Sequence, residues 1–368
     1  MNSFEKYEAM YTLSKPKDRR DVPVYPMILT WCGTATGMSQ AEIVNNPKKW
    51  MEAMHKTFEI IGKPDVSIST CAKDVVFVMG LESRVPGREL PDDALYQFVE
   101  TPHMEPEDYV LIAKDGWNNW YNRYLMGIQK PPMKKPFQLI MRYIQMGSNG
   151  GKYGKYLGQA GIAPIYHTAC APAFDILSMV RSMAEFSCDL IDDPGPIVDA
   201  VNRATPEIIA TTIQNVKRAK GDKAGIFAMR SSQSFISPAM FQEYAWPTLK
   251  KIIEELHQAG VKSVLHADGN WLPVLHHLTE VPKGCVHVEL DGLTDIFKAH
   301  AVLEGWQSVR GDVPATMLAF GTPDEVRAYS DKLVTELGLK GGFMLGSGCE
   351  VPLNAKVENV KAMVDAVR

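Results

Sequence analysis

The chain has 368 residues, 45% hydrophobic and 22% charged, an ordinary globular composition that excludes disordered and collagen-like classes and supplies ample material for a large core. Lys+Arg 39 against Asp+Glu 43 leaves a formal charge of −4, which gives no electrostatic footprint for a phosphate backbone and argues against nucleic acid as a partner.

At the N-terminus, MNSFEKYEAMYTLSKPKDRR carries charges at positions 5, 6 and 8 and lacks the apolar core of a signal peptide. The richest apolar window, 161–180, is interrupted by His167, Thr168 and Asp175, so no spanning helix is expected. Six widely spaced cysteines without a C-x-x-C pair read as reduced thiols. The expectation is a soluble, cytoplasmic protein.

In chain order, short apolar runs at 22–29, 64–70, 161–167, 224–230, 261–266, 285–290, 306–310 and 342–347 are each followed by a helical pattern. Three helices carry end signals: one from Ser39 to Gly62, one from Ser237-Pro238 to Gly260, one from Thr322-Pro323 to Gly338. Eight strand-helix units imply an α/β fold, a (β/α)8 TIM-type barrel occupying 1–368 as one domain. An open doubly wound sheet is the alternative, without a G-x-G-x-x-G after the first strand to support its dinucleotide form.

About ninety residues separate the second and third strands, more than one helix requires. Residues 75–158 are therefore expected to form an insertion subdomain over one barrel mouth. Within it VVFVMG and LYQFVET read as hairpin strands, and KPPMKKP and GSNGGKYGKYLGQAG as turn-rich linkers. WNNWYNRY has helical spacing and is better explained by packing than by an aromatic pocket.

Barrel chemistry sits at the C-terminal ends of the strands. That rule selects, among others, Trp31, His167, Arg230, His266, Asp268, Glu289, Arg310, Asp312 and Cys349. His266, Asp268 and Cys349 offer nitrogen, oxygen and sulfur, a set a catalytic zinc accepts with a fourth position open. The alternatives are a hydrogen-bonded mouth histidine and a small buried thiol. Trp31, His167, Arg230 and Asp312 are the candidate substrate-binding residues. Arg230, Arg310 and Asp312 read equally as an anion clamp or as an internal Arg–Asp pair.

Four segments, DVPVYP (21–26), ISPAMFQEYAWPTLKKIIEELHQAGVKSVLHADGN (236–270), RGDVPATMLAFGTPDEV (310–326) and GGFMLGSGCEVPLNAKVENVKAM (341–363), together resemble the uroporphyrinogen decarboxylase superfamily. The resemblance implies a (β/α)8 barrel and points to the corrinoid-dependent methyltransferase branch, because the arginine-bearing P-x-W-x-M-R-Q-A-G-R segment of true decarboxylases is replaced here by YPMILTWCGTATGM. In that branch zinc is held by His-x-Cys and a distant Cys. His266 and Cys349 match, and Asp268 stands where the first Cys would be.

A harder ligand set suits an oxygen-bearing substrate. The implied activity is methyl transfer from an O-methyl donor, such as a methoxylated aromatic, to the cob(I)amide of a partner corrinoid protein, since the chain has no corrinoid motif of its own. His266 and Asp268 would be catalytic, and His266, Asp268 and Cys349 the zinc ligands, with Glu289 the next candidate. Methylation of a thiol from methylcobamide (coenzyme M type), decarboxylation of uroporphyrinogen, and a non-catalytic tetrapyrrole- or corrinoid-binding barrel are the alternatives, and a homodimer is an expected assembly.

Overall fold

The computed structural model describes residues 1–368. Its parallel strands are β1 (Val24–Met27), β2 (Val66–Ser67), β5 (Ala163–Pro164), β6 (Thr168–Cys170), β7 (Lys223–Ala228), β8 (Lys262–Ala267), β9 (Val286–Leu290), β10 (Ser308–Val313) and β11 (Phe343–Glu350); an antiparallel pair, β3 (Ser83–Arg84) and β4 (Gln97–Phe98), lies outside the barrel sheet. Seven strands run in the order β1-β11-β10-β9-β8-β7-β6, and β2 pairs with β5. The Asp65 N–H bonds the Val24 carbonyl at 3.0 Å and carries the sheet from β1 to β2. The first strand thus pairs with the last, as a (β/α)8 barrel requires.

All eight strands predicted from the sequence are present, the third in two pieces. β5 pairs with β2 and β6 with β7, separated by Ile165–His167. The Ile165 N–H still bonds the Ser67 carbonyl at 2.9 Å, and the chain joins β7 only from the His167 N–H onward. Strand three therefore ends at Cys170, not at His167.

Prolines also reshape two predicted helices. The span from Ser39 to Gly62 is two helices, Gln40–Asn45 and Pro47–Ile61, because the residue before a proline is driven out of helical geometry. Asn46, at φ −127° and ψ 102°, accepts the N–H groups of Lys48 and Lys49 and caps the second. In the span 237–260, Pro247 cannot donate to the preceding turn, and a π turn at Phe241–Ala245 leads into the helix Trp246–Gln258. The third predicted helix, Pro323–Glu336, opens with the expected capping box between Thr322 and Glu325.

Between β2 and β5 the elements differ from the sequence reading. VVFVMG is mostly helix (Ala72–Val78) instead of a hairpin strand, and β4 pairs with Ser83–Arg84. The glycine-rich stretch read as a linker is the second half of a 25-residue helix, Pro136–Ala160. Tertiary packing overrides the glycines' weak propensity: Tyr153 and Leu157 are buried, and the Tyr153 ring meets Trp50 at 4.7 Å. The helix Trp117–Ile128 stacks Trp117 on Tyr121 and Trp120 on Tyr124, one turn apart, as its spacing predicts.

The first helix, Ser3–Thr12, sits against the N-terminal ends of the strands. Tyr7 donates to the Ile165 carbonyl at 2.6 Å, and Glu8 pairs with Lys223 and Lys262. That end is plugged, and only the C-terminal end remains for a site. No helix is long and apolar enough to cross a membrane.

Candidate metal centre and adjoining cavity

β8, β9, β10 and β11 lie side by side, and their register places His266 opposite Glu289 and Glu289 opposite Arg310. Residues in register on adjacent parallel strands point to the same side of the sheet, so these three side chains form a row across the barrel interior. His266 Nδ1 stands 3.1 Å from Glu289 Oε2, with the ring N–H donating to the carboxylate. Glu289 Oε1 lies 3.5 Å from Arg310 Nη1. Arg310, with no solvent exposure, donates through Nη2 to the Ser347 carbonyl at 2.8 Å and lies over the Tyr25 ring at 4.6 Å. The Ser347 hydroxyl donates to the Cys349 backbone carbonyl at 2.6 Å, which ties the row to the residue that bears the candidate thiol.

The other face of the imidazole meets Asp268: Nε2 is 3.3 Å from Oδ1. Burial alone would push the His266 imidazole down, but the carboxylate of Asp268 and hydrogen bonds to Asp268, Cys349 and Glu289 hold it well above its ordinary value. Burial pushes Glu289 up, and Arg310 with His266 outweighs it, keeping the carboxyl below the usual range. One ligand atom each from His266, Asp268 and Cys349 lies within 4.8 Å of the others. Nitrogen, oxygen and sulfur at that spacing fit a borderline-soft ion such as zinc.

Beside this cluster is a cavity of about 400 Å³ whose walls include Phe98 of β4, Met179, Met229, Arg230, Phe235 and Asp268, a volume within the small-ligand range. Arg230 is the one expected substrate-binding residue found there. Both terminal nitrogens reach Glu100, at 3.2 and 3.3 Å, which fastens the β3–β4 hairpin segment to the end of β7.

The structure does not bring Trp31, His167 or Asp312 to the cavity. Trp31 is fully buried and donates through Nε1 to the Ala355 carbonyl at 2.9 Å. His167 is at the wrong end of the barrel: its N–H bonds the carbonyl of Lys223, the first residue of β7, about 16 Å of strand from the mouth. Asp312 turns toward the outer helix layer, where the Tyr329 hydroxyl donates to it at 2.8 Å, and burial pushes it up to about 6. Arg310 is neither anion clamp nor partner of Asp312, since Glu289 takes it.

Sequence reasoning missed Glu100, which lies in the segment between β2 and β5 with nothing local to mark it. It also passed over Asp175, fully buried, which accepts from the Ser231 hydroxyl and the Arg230 N–H, each at 2.7 Å, and holds the end of β7 in place. Burial pushes Asp175 up to about 6.

The family model named Uroporphyrinogen decarboxylase (URO-D) matches residues 160–368. The chain is 31% identical over 127 residues to a uroporphyrinogen decarboxylase of Anaeromyxobacter dehalogenans, a match covering 34% of this chain and 35% of that protein. It is 27% identical over 147 residues to the methylcobamide:CoM methyltransferase MtbA of Methanosarcina mazei, covering 40% and 42%. The chain thus spans less than half the length of the curated relatives it matches. Among solved structures, a methyltransferase from Methanosarcina mazei superposes with a TM-score of 0.70 at 17% identity, covering 100% of this chain and 98% of the other, which shows a shared fold. With a (β/α)8 barrel and a family match over more than half its length, this chain belongs to the uroporphyrinogen decarboxylase family.

Proposed function

We propose that the chain is a corrinoid-dependent methyltransferase that takes a methyl group from the oxygen of a methoxylated aromatic and passes it to the cob(I)amide of a separate corrinoid protein. The observation that carries this reading is the convergence of His266, Asp268 and Cys349 beside a mainly apolar cavity. The likeness to a methylcobamide:CoM methyltransferase supports the corrinoid partner.

His266, Asp268 and Cys349 would hold a zinc ion, which when bound supplies Lewis acidity toward an ether oxygen. The chain's own groups do the rest. Glu289 fixes the imidazole orientation through Nδ1, and Arg310 balances the buried carboxylate. Phe98, Met179 and Phe235 give an aromatic ring an apolar seat. A methyl ether leaves as a poor alkoxide or phenoxide unless its oxygen is polarised or protonated, and Asp268, at the junction of cluster and cavity, orients the reacting end.

Methyl transfer to a thiol is the second reading, favoured by the likeness to methylcobamide:CoM methyltransferases. Zinc analysis of the purified protein, followed by transfer assays with a reduced corrinoid protein, separates the two. Demethylation of methoxyarenes with zinc near one per chain is expected. Methylation of thiols as fast as demethylation of any ether would overturn the proposal.

A further inference from the structure

The helix Pro136–Ala160 has one face without a partner. Its inner face is held: Leu139, Tyr153 and Leu157 are buried, and Arg142 and Asn149 donate to Asp74 at 2.7 and 3.1 Å. At 3.6 residues per turn the opposite side is a seam through Phe137, Ile140, Ile144, Gly151 and Gly158. Phe137, Ile140 and Ile144 are 61%, 58% and 59% exposed, an apolar ridge along the first half of the seam of the kind that marks an interaction surface. The second half is bare. A Cβ added at Gly147, Gly151, Gly154 or Gly158 would meet nothing within 4 Å, and none of the four has a left-handed backbone. Nothing inside the chain therefore requires glycine there, although glycine weakens a helix relative to alanine.

The two halves fit each other in a second copy. Phe137, Ile144, Gly151 and Gly158 recur every seven residues, the spacing that keeps one seam against a neighbouring helix crossing at about 20°. Laid antiparallel about a two-fold axis at Gly147–Ser148, the seam sets Phe137 opposite Gly158 and Ile144 opposite Gly151, with Ile140 between Gly151 and Gly158. Each bulky residue then fills a space left by a glycine, whereas a parallel pair sets bulk on bulk at one end and leaves a void at the other. Charge selects the same arrangement. The helix bears Arg142, Lys152 and Lys155 and no acidic residue, and Arg142 is paired with Asp74. Antiparallel copies hold the lysines of one about 13 Å or more along the axis from those of the other, beyond the Debye length, while parallel copies place them side by side. A face about 37 Å long buried in both copies removes on the order of 1,200 Å² from water, the size of a stable specific interface. We infer that the chain self-associates through this face as an isologous, antiparallel helix pair.

The test is sedimentation velocity of the full chain across the micromolar range, where a reversible dimer is expected. Gly151→Leu fills the seat of Ile144 and meets nothing in its own chain, and Ile144→Lys puts a charge on the seam. Each should weaken the dimer about 100-fold with unchanged circular dichroism. In a Cys188→Ser background, which removes an exposed native thiol, Ser148→Cys should form a disulfide between copies under mild oxidation, because the two-fold axis brings that position next to its own copy. A monomer throughout that range, a dimer that both seam variants leave unchanged, or a dimer in which Ser148→Cys does not crosslink would each overturn the inference. So would a monomer that sediments with anionic vesicles, the outcome expected if the ridge and its lysines served a membrane surface.

Discussion

His266 and Glu289 occupy paired positions on neighbouring parallel strands, and the imidazole Nδ1 of one lies 3.1 Å from the carboxylate of the other. Strand register thus sets the ring's orientation toward Asp268 and Cys349, and Arg310, one strand further on, holds the carboxylate ionised.

Replacing Glu289 tests both halves of that relationship. Glu289→Gln keeps the shape, removes the charge and should weaken zinc binding by about 10- to 100-fold. Glu289→Ala leaves the Arg310 guanidinium buried without a counter-charge, and a loss of about 3–5 kcal/mol is expected in urea unfolding. A Glu289→Ala protein as stable as the parent would mean that Arg310 is neutralised elsewhere.

Cys349→Ser should lower zinc content, by a factor on the order of ten or more in affinity, while far-UV circular dichroism and the unfolding midpoint stay near those of the parent. The thiol belongs to the half-buried end of β11, whose centre is fully buried. Unchanged zinc in that variant would transfer the ligand role to Glu289.

Asp268→Cys is the sharper test of ligand hardness. A second thiolate should retain zinc and depress ether cleavage more than it depresses metal binding. Undiminished demethylation by the variant would sink the hardness argument, whereas His266→Ala should abolish transfer under either reading.

Asp312 gives a pH prediction with a definite sign. Its folded value is raised by burial from an ordinary 3.8 to about 6, so between those values the folded state binds more protons than the unfolded state, and this group's contribution to stability falls as pH rises from about 4 to 6. Asp312→Asn removes that dependence while leaving an acceptor for Tyr329. Relative to the parent, the variant should gain on the order of 1–3 kcal/mol between pH 4 and pH 7, measured as urea midpoints. A constant difference across that range would contradict it.

From the sequence alone came the eight apolar strands, the caps at Ser39 and Thr322, and, through the strand-end rule, the triplet His266, Asp268 and Cys349. Those signals are local: strand periodicity, capping chemistry and the position of a residue just past its strand need no knowledge of what lies opposite. Three other residues picked by the same rule did not follow it. His167 is misplaced because strand three joins β7 only from His167 onward and runs on to Cys170, so the predicted strand end is still at the barrel's plugged end. Trp31 satisfies its ring N–H on Ala355, more than three hundred residues away, and Asp312 meets Tyr329 from the outer helix layer. Nothing in the spacing marks Glu289 as the partner of both His266 and Arg310, or joins Glu100 to Arg230 across 130 positions of sequence. Those pairings were decided by barrel closure and by the docking of the hairpin segment, because only the assembled sheet sets which side chains share the interior and only there does burial force each charge to find its opposite.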